Sequence, residues 1–415
     1  MKRLFLLMAV TLVALCSSIA TTKAQAPERQ NWYGGFSLYG NVESVTITGY
    51  KLQDKFGEVI RGDVQGKYKY CFNNAGDVIE YAEYNSDGAL KRKYIYKYDS
   101  SGNKIEDARY NSDGSLDGKS IYKYNSYGKI IEEAYYDPDG SFVGKIIYKY
   151  DSSGNEVERA WYNSDGSLGY KYIFKYDSSG NMIEEASYDS DGSLELKYIC
   201  KYDSSGNMIE YAVYDPDGSL KRKDIYKYDS SGNKIEKAEY YPDGSLLYEC
   251  YKYDSSGKMI EEAYYDPDGS FYGKGIYKYD SFGNEVEYAY YNSDGSLEGK
   301  NIYKYDSSGN MVEHADFASD GSLIRKSIYK YDSSGNKIER ADYDSDGSLG
   351  GKDIYKYDSS GNMIEEAGYY SDGSLDRKFI YKYDSSRNLI EETIYNSDAL
   401  MPVYQTGVKI VYRNE

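Results

Sequence analysis

Residues 95–120 read IYKYDSSGNKIEDARYNSDGSLDGKS, and two five-residue stretches inside them decide the fold. The first is Asp99-Ser100-Ser101-Gly102-Asn103 and the second Asn111-Ser112-Asp113-Gly114-Ser115. Each places a glycine where a three-residue hairpin loop needs a left-handed residue. Asp and Ser ahead of that glycine can bond the turn's own amides. Between the turns lie Lys104–Tyr110 and Lys119–Tyr124, runs of strand length with strand-type aromatics and no 3.6-residue apolar period. Loops this short join antiparallel neighbours only, because a parallel crossover takes about a dozen residues or more. The unit therefore reads strand, tight turn, strand, tight turn.

The unit recurs. The tripeptide beginning at Tyr96 returns at Tyr122, Tyr148, Phe174, Cys200, Tyr226 and Tyr251, and on to Tyr381. One glutamate marks each of thirteen copies from Glu80 to Glu391, spaced by 26 residues except for 25 between Glu236 and Glu261. Two strands per copy predict about 26 strands stepping roughly 4.8 Å each and twisting by about 20° apiece. The expected fold is all-β: an elongated antiparallel β-meander of tandem 26-residue repeats, twisted into a superhelix or open spiral. Pairing through the turns is expected to put Tyr96, Tyr98, Glu106, Ala108, Tyr110 and Leu116 on one face. Ile95, Ile105, Ile121, Lys97, Lys119 and Lys123 are expected on the other. The shortened step lies between Leu246 and Cys250, where a local change of bulge or a loosened strand must absorb the lost residue, since a one-residue slip would flip every later side chain. At the end of the array Arg387 and Ala399 stand where the two turn glycines belong, and Val408–Tyr412 is expected to close the molecule as a final edge strand.

Composition agrees. Tyr occurs 56 times against 10 Phe and 2 Trp, Gly 41 times and Pro only 6. That bias suits pleated surfaces and tight turns. A formal charge of −18 repels phosphate backbones and argues against nucleic acid as a partner. Lys2 and Arg3 followed by the apolar Leu4–Leu15 run read as a secretory signal cut after Ala24; the run is too short to span a bilayer, and no later one approaches the required length. Cys16 is the one position at which lipidation enters. Cys71, Cys200 and Cys250 remain beyond the cut, odd in number and without zinc spacing, and read as apolar fillers. The domain reading is 1–24 signal peptide, 25–67 degenerate N-terminal cap, 68–395 repeat array, 396–415 C-terminal cap strand.

Catalysis finds little support. His314 is the single histidine and fills a slot held elsewhere by Asp107, Glu133 or Tyr211, so acid–base chemistry lacks positioned partners and no enzyme is expected. Asp342, Asp344 and Asp346 ahead of Gly347, with Asp353 further on, match the opening of a calcium loop in one copy, although a β-turn accounts for the same residues. No other cofactor is implied. Trp161, Tyr211, Tyr272, Tyr288 and Tyr290 fall outside the regular Tyr slots and are the candidate binding residues, because aromatic rings stack on sugar faces or fill protein interfaces.

The motif Tyr-Lys-Tyr-Asp-Ser-Ser-Gly-Asn followed by Tyr-Asn-Ser-Asp-Gly-Ser-Leu resembles the tyrosine–aspartate (YD or Rhs) repeat, over about Tyr68–Tyr395. The resemblance implies an antiparallel β-sheet spiral, secretion or surface display, and in large members a shell around a toxin. No toxin domain or release motif follows the last repeat in this sequence, so toxin delivery is not expected. The functional expectation is a secreted, periplasmic or cell-surface scaffold that binds a glycan or protein partner through its repeat surface. The alternatives are a passive spacer or an accessory part of a toxin delivery system.

Overall fold

The computed structural model describes residues 38–55, 58–397 and 402–413. Residues 1–24, expected to be a signal peptide and including Cys16, and Ala399 lie outside the described residues. Two long strands, β1 (Val42–Lys55) and β2 (Glu58–Phe72), open the chain. Short and nine-residue strands then alternate from β3 (Val78–Tyr84), β4 (Leu90–Tyr98), β5 (Lys104–Tyr110) and β6 (Leu116–Tyr124) to β26 (Leu375–Tyr383), β27 (Leu389–Asn396) and β28 (Tyr404–Tyr412). Both turns form as the glycines dictate. Gly102 and Gly114 both have φ +83°; each donates its amide to the residue three before it. Asp99 accepts the amides of Ser101 and Asn103, and Asp113 accepts that of Ser115.

The sheet does not stay open. Each strand pairs antiparallel with the next, and β28 pairs along its length with β1, from Val42↔Tyr412 to Lys51↔Tyr404. The expected superhelix or open spiral is therefore corrected to a closed 28-stranded antiparallel barrel. The reason lies in the rungs. Lys97 faces Glu106, and Glu106 faces Ile121, two residues short of Lys123, the next copy of Lys97. Repeated around the ring, this slip returns a rung to its own strand displaced by about 28 residues. A stagger that nearly equals the strand number tilts the strands by roughly 35°, an ordinary barrel tilt, and sets a backbone diameter of about 50 Å. The even strand number lets the last strand meet the first antiparallel.

The seam carries a local core. Val42, Val45, Tyr70 and Phe72 are buried with Leu38, against Ile47, Val408 and Ile410. Fully buried Asn388 donates to the Tyr39 carbonyl (2.9 Å) and the Tyr412 hydroxyl (2.7 Å). Arg413 donates to the Val42 carbonyl (3.0 Å). The expected final edge strand is corrected too: β28 pairs with β27 through Tyr404–Gly407 and with β1 along its length, Val408–Tyr412 included.

The faces also differ from expectation. Ile95, Lys97, Glu106, Ala108, Tyr110, Lys119 and Ile121 share one face; Tyr94, Tyr96, Asp107, Arg109 and Ser120 share the other. Grouping within each strand was legible, but a bulge beside Tyr98 shifts how the groups join across the hairpin. On the first face the repeat-marking glutamates are bracketed by lysines. Glu132 meets Lys123 at 2.6 Å and Lys145 at 3.2 Å, and the first of these pairs recurs from Lys97–Glu106 to Lys382–Glu391. The Lys123 hydrogen bond holds the Glu132 carboxyl below its ordinary range. Beneath them the repeated alanines, such as Ala108 and Ala212, are buried.

On the tyrosine face the second Tyr of the Y-K-Y motif bonds the carbonyl of the residue that opens the preceding short strand. Tyr98 donates to Val78 (2.9 Å), Tyr228 to Met208 (2.8 Å) and Tyr383 to Met363 (2.9 Å). A phenylalanine could not do this. The shortened step is absorbed in β16 (Leu246–Tyr253), which pairs with β15 (Lys234–Tyr240) without the bulge found in the equivalent hairpin pairs such as β5–β6; the missing residue is the bulge residue.

Candidate binding face

All five off-pattern aromatics project from the tyrosine face. Tyr288 stands opposite Tyr277, Tyr290 opposite Gly275, Trp161 opposite Ile146 and Tyr211 opposite Cys200. Tyr272 precedes Gly273 on β18 (Phe271–Tyr279), where the bulge turns it to the same side. The structure gathers them in two places and leaves Tyr211 apart.

The first place centres on Trp161 of β9 (Glu156–Asn163). Its ring lies 5.3 Å from Tyr135 and 6.5 Å from Tyr170, nearly parallel to the latter at 16°. Its indole donates to Asn163 Oδ1 at 3.0 Å. The ring rests on glycine: a Cβ at Gly144 would come within 2.5 Å of it. The second place lies on β18 and β19 (Glu285–Asn292). Here Tyr290 covers Gly273, Tyr288 covers Gly275, and Tyr288 lies 4.8 Å from Tyr277. Tyr277 donates to Glu262 Oε1 at 2.6 Å. With Leu247, Tyr264 and the 56 % exposed Tyr272, Tyr290 lines a cleft of about 440 Å³ edged by Glu249. The bulge lost from β16 adjoins this cleft through Leu247.

Tyr211 of β13 (Met208–Tyr214) stacks on Tyr198 at 6.0 Å and lies under Arg222 at 5.7 Å. Burial raises its hydroxyl pKa. Arg222 bonds Asp224, which is buried and also accepts from Tyr226. Sequence reasoning missed this polar cluster because its members occupy ordinary variable slots.

The four aspartates do not converge. Asp342 accepts from Ser327 and Arg340, Asp353 faces Arg377 at 3.5 Å, Asp346 accepts the Ser348 amide, and Asp344 closes its turn through its backbone. Among the described residues no three His, Cys, Asp or Glu side chains form a group able to hold a metal ion. His314 stacks on Tyr303 at 4.9 Å, with Nε2 2.8 Å from Asp316. Cys71, Cys200 and Cys250 are free thiols, Cys200 buried in a tyrosine slot.

A signal for the two aromatic places is present in the sequence as an internal duplication. Residues 128–168 and 257–297 are the same block, differing at Ile130/Met259, Val143/Tyr272, Ile146/Gly275, Ser153/Phe282, Arg159/Tyr288 and Trp161/Tyr290. Ser153 and Phe282 sit in turns, and the other five pairs lie on the tyrosine face.

A family described as a protein of unknown function (DUF2963) matches residues 188–240. No curated protein matches the chain. A crystal structure of TcdB2-TccC3-TEV is 12% identical over 87% of this chain and 27% of its own, with a TM-score of 0.28. The Tc holotoxin pore of Photorhabdus luminescens is 12% identical over 87% of this chain and 26% of its own, at 0.19. A porin-like protein from Bacteroides uniformis is 8% identical over 89% of this chain and 98% of its own, at 0.20. The chain thus spans about a quarter of the length of the Tc toxin chains it matches.

Proposed function

We propose that this protein is a secreted or cell-surface scaffold of tyrosine–aspartate repeats whose tyrosine face binds a glycan. One observation carries the reading: Trp161, Tyr211, Tyr272, Tyr288 and Tyr290 all fall on that face, while the opposite face repeats its Lys–Glu pairs from copy to copy. A rigid ring of identical units holds such groups at fixed spacing. Neither face offers lipid a continuous apolar band, because Glu132 and Lys123 interrupt one and Arg159 and Lys237 the other. That favours a ring in water. A concave cleft lined by tyrosine rings suits a glycan chain better than the broad surface a stable protein interface needs. No catalytic step belongs to this reading. The test is a glycan array probed with the full secreted chain: reproducible hits among hydroxyl-rich polysaccharides are expected. A blank array would leave the passive spacer, which the uniformity of the Lys–Glu face also suits.

A further inference from the structure

The duplicated block deepens that reading and rests on it. Both copies share a floor: Tyr135 and Tyr264, Gly144 and Gly273, Glu133 and Glu262, Tyr148 and Tyr277. Rungs join these residues directly, Tyr135 to Gly144 and Tyr264 to Gly273, so the floor is one structure built twice. On it the copies differ where a ligand would lie. In the second, Gly275 replaces Ile146 and Tyr288 replaces Arg159. These two changes fit together, since a Cβ at position 275 would sit 2.8 Å from the Tyr288 ring. The strand substitutions confine themselves to the tyrosine face, whose slots vary from copy to copy, while the Lys–Glu side stays constant.

We infer that the chain holds two separate, inequivalent sites for an uncharged pyranose chain, one on Trp161 and Tyr170, the other on Tyr272 and Tyr290. Glycines beside Trp161 and Tyr290 leave room for each ring against the backbone, and the apolar face of a pyranose stacks on such rings. At the second site Glu262, which accepts from Tyr277, and Glu249, which accepts from Lys237 and Tyr251, keep second lone pairs for ligand hydroxyls. The same carboxylates, in a chain of net charge −18, repel acidic polysaccharides, which selects a neutral ligand. The two sites stand ten strands apart, roughly 48 Å along the sheet, so a long polysaccharide can engage both and gain avidity.

The experiment is titration calorimetry of the full chain with soluble neutral polysaccharides (a β-glucan, a xylan and a mannan) and with short oligosaccharides of each. Two classes of site per chain are expected with an oligosaccharide. Trp161→Ala removes one class and leaves the other; Tyr290→Ala does the reverse; the double variant loses binding, with circular dichroism unchanged in all three. The long polymer should lose tenfold or more in apparent affinity with either single variant. Gly275→Ile, which displaces Tyr288, should remove the second class, and adding Tyr288→Arg should restore the unfolding temperature without restoring that class. Binding that survives the double variant, or a stoichiometry near the number of repeats, overturns the two-site inference and leaves the glycan reading standing. Absence of binding to every glycan by the unaltered chain overturns both.

Discussion

At Tyr228 a single oxygen explains why the repeat uses tyrosine. Its hydroxyl donates to the carbonyl of Met208, which lies beyond the start of the next ladder at Glu210↔Ile225. Tyr228→Phe should cost about 1 kcal/mol, read as a lowered denaturation midpoint. Tyr127→Phe at an 86 % exposed turn tip should cost nothing measurable. The turn glycines act through backbone alone. Gly206 has φ +84°, and a Cβ there would meet nothing within 4 Å, so Gly206→Ala should lose about 1 kcal/mol to strain without any clash. Arg387 already occupies the same left-handed conformation, φ 68°, which shows what the ring tolerates once. Buried phenols report on the packing: Tyr96, Tyr148, Tyr355 and Tyr381 are pushed up to about 12 by burial. A group whose folded pKa is raised stabilises the fold below its unfolded value, near 10, and loses that contribution as pH rises through about 12. Ultraviolet titration should therefore show a tyrosinate step near pH 12 coincident with loss of structure; complete ionisation by pH 11 with structure intact would contradict it.

Pairs of strands are held by their backbone ladders, to which the turns and the bracketed glutamates add. Hydrogen bonds from Lys123 to Glu132, from Lys252 to Glu261 and from Lys330 to Glu339 hold those carboxyls below their ordinary range. Depressed carboxyls stabilise above their unfolded value, about 4.3, and that contribution is lost as pH falls through the folded values. The melting temperature should hold from neutral pH to about pH 5 and fall below it, more steeply at low salt because the lysines are largely exposed. How much of this was legible follows from geometry. Turns and strand lengths follow from local residues, Gly102 and Gly114 above all. Which strand groups share a face does not, because the bulge beside Tyr98 shifts the pairing by one residue and only the formed ladder reveals it. The same logic covers β16. Inserting one residue between Leu246 and Leu247 should restore the bulge, keep the circular dichroism spectrum and narrow the cleft at Tyr272. Collapse of the melting transition would show that the downstream strands depend on the shortened register.

For the whole molecule, closure depends on the atypical ends. β1, β2 and β28 lack the repeat motif, yet they supply the apolar seam and the Asn388 and Arg413 clasps. Removing residues 403–415 should open the ring, raise the radius of gyration seen by small-angle scattering, and expose β27 and β1 as edges that associate with increasing concentration. An unchanged scattering curve would mean that β28 does not close the barrel. The intact ring should scatter as a hollow body about 50 Å across its backbone.

The sequence by itself determined the unit: strand lengths from aromatic runs, turn type from Asp and Gly, antiparallel order from loops too short to cross over, and the location of the lost residue near Cys250. It also singled out Trp161, Tyr272, Tyr288 and Tyr290. Closure of the sheet is a property of the folded whole, because it sums a two-residue slip over every repeat, and no local motif records a sum. Only the structure decided that those aromatics share one face, because sidedness passes through each bulge before neighbouring strands can be compared.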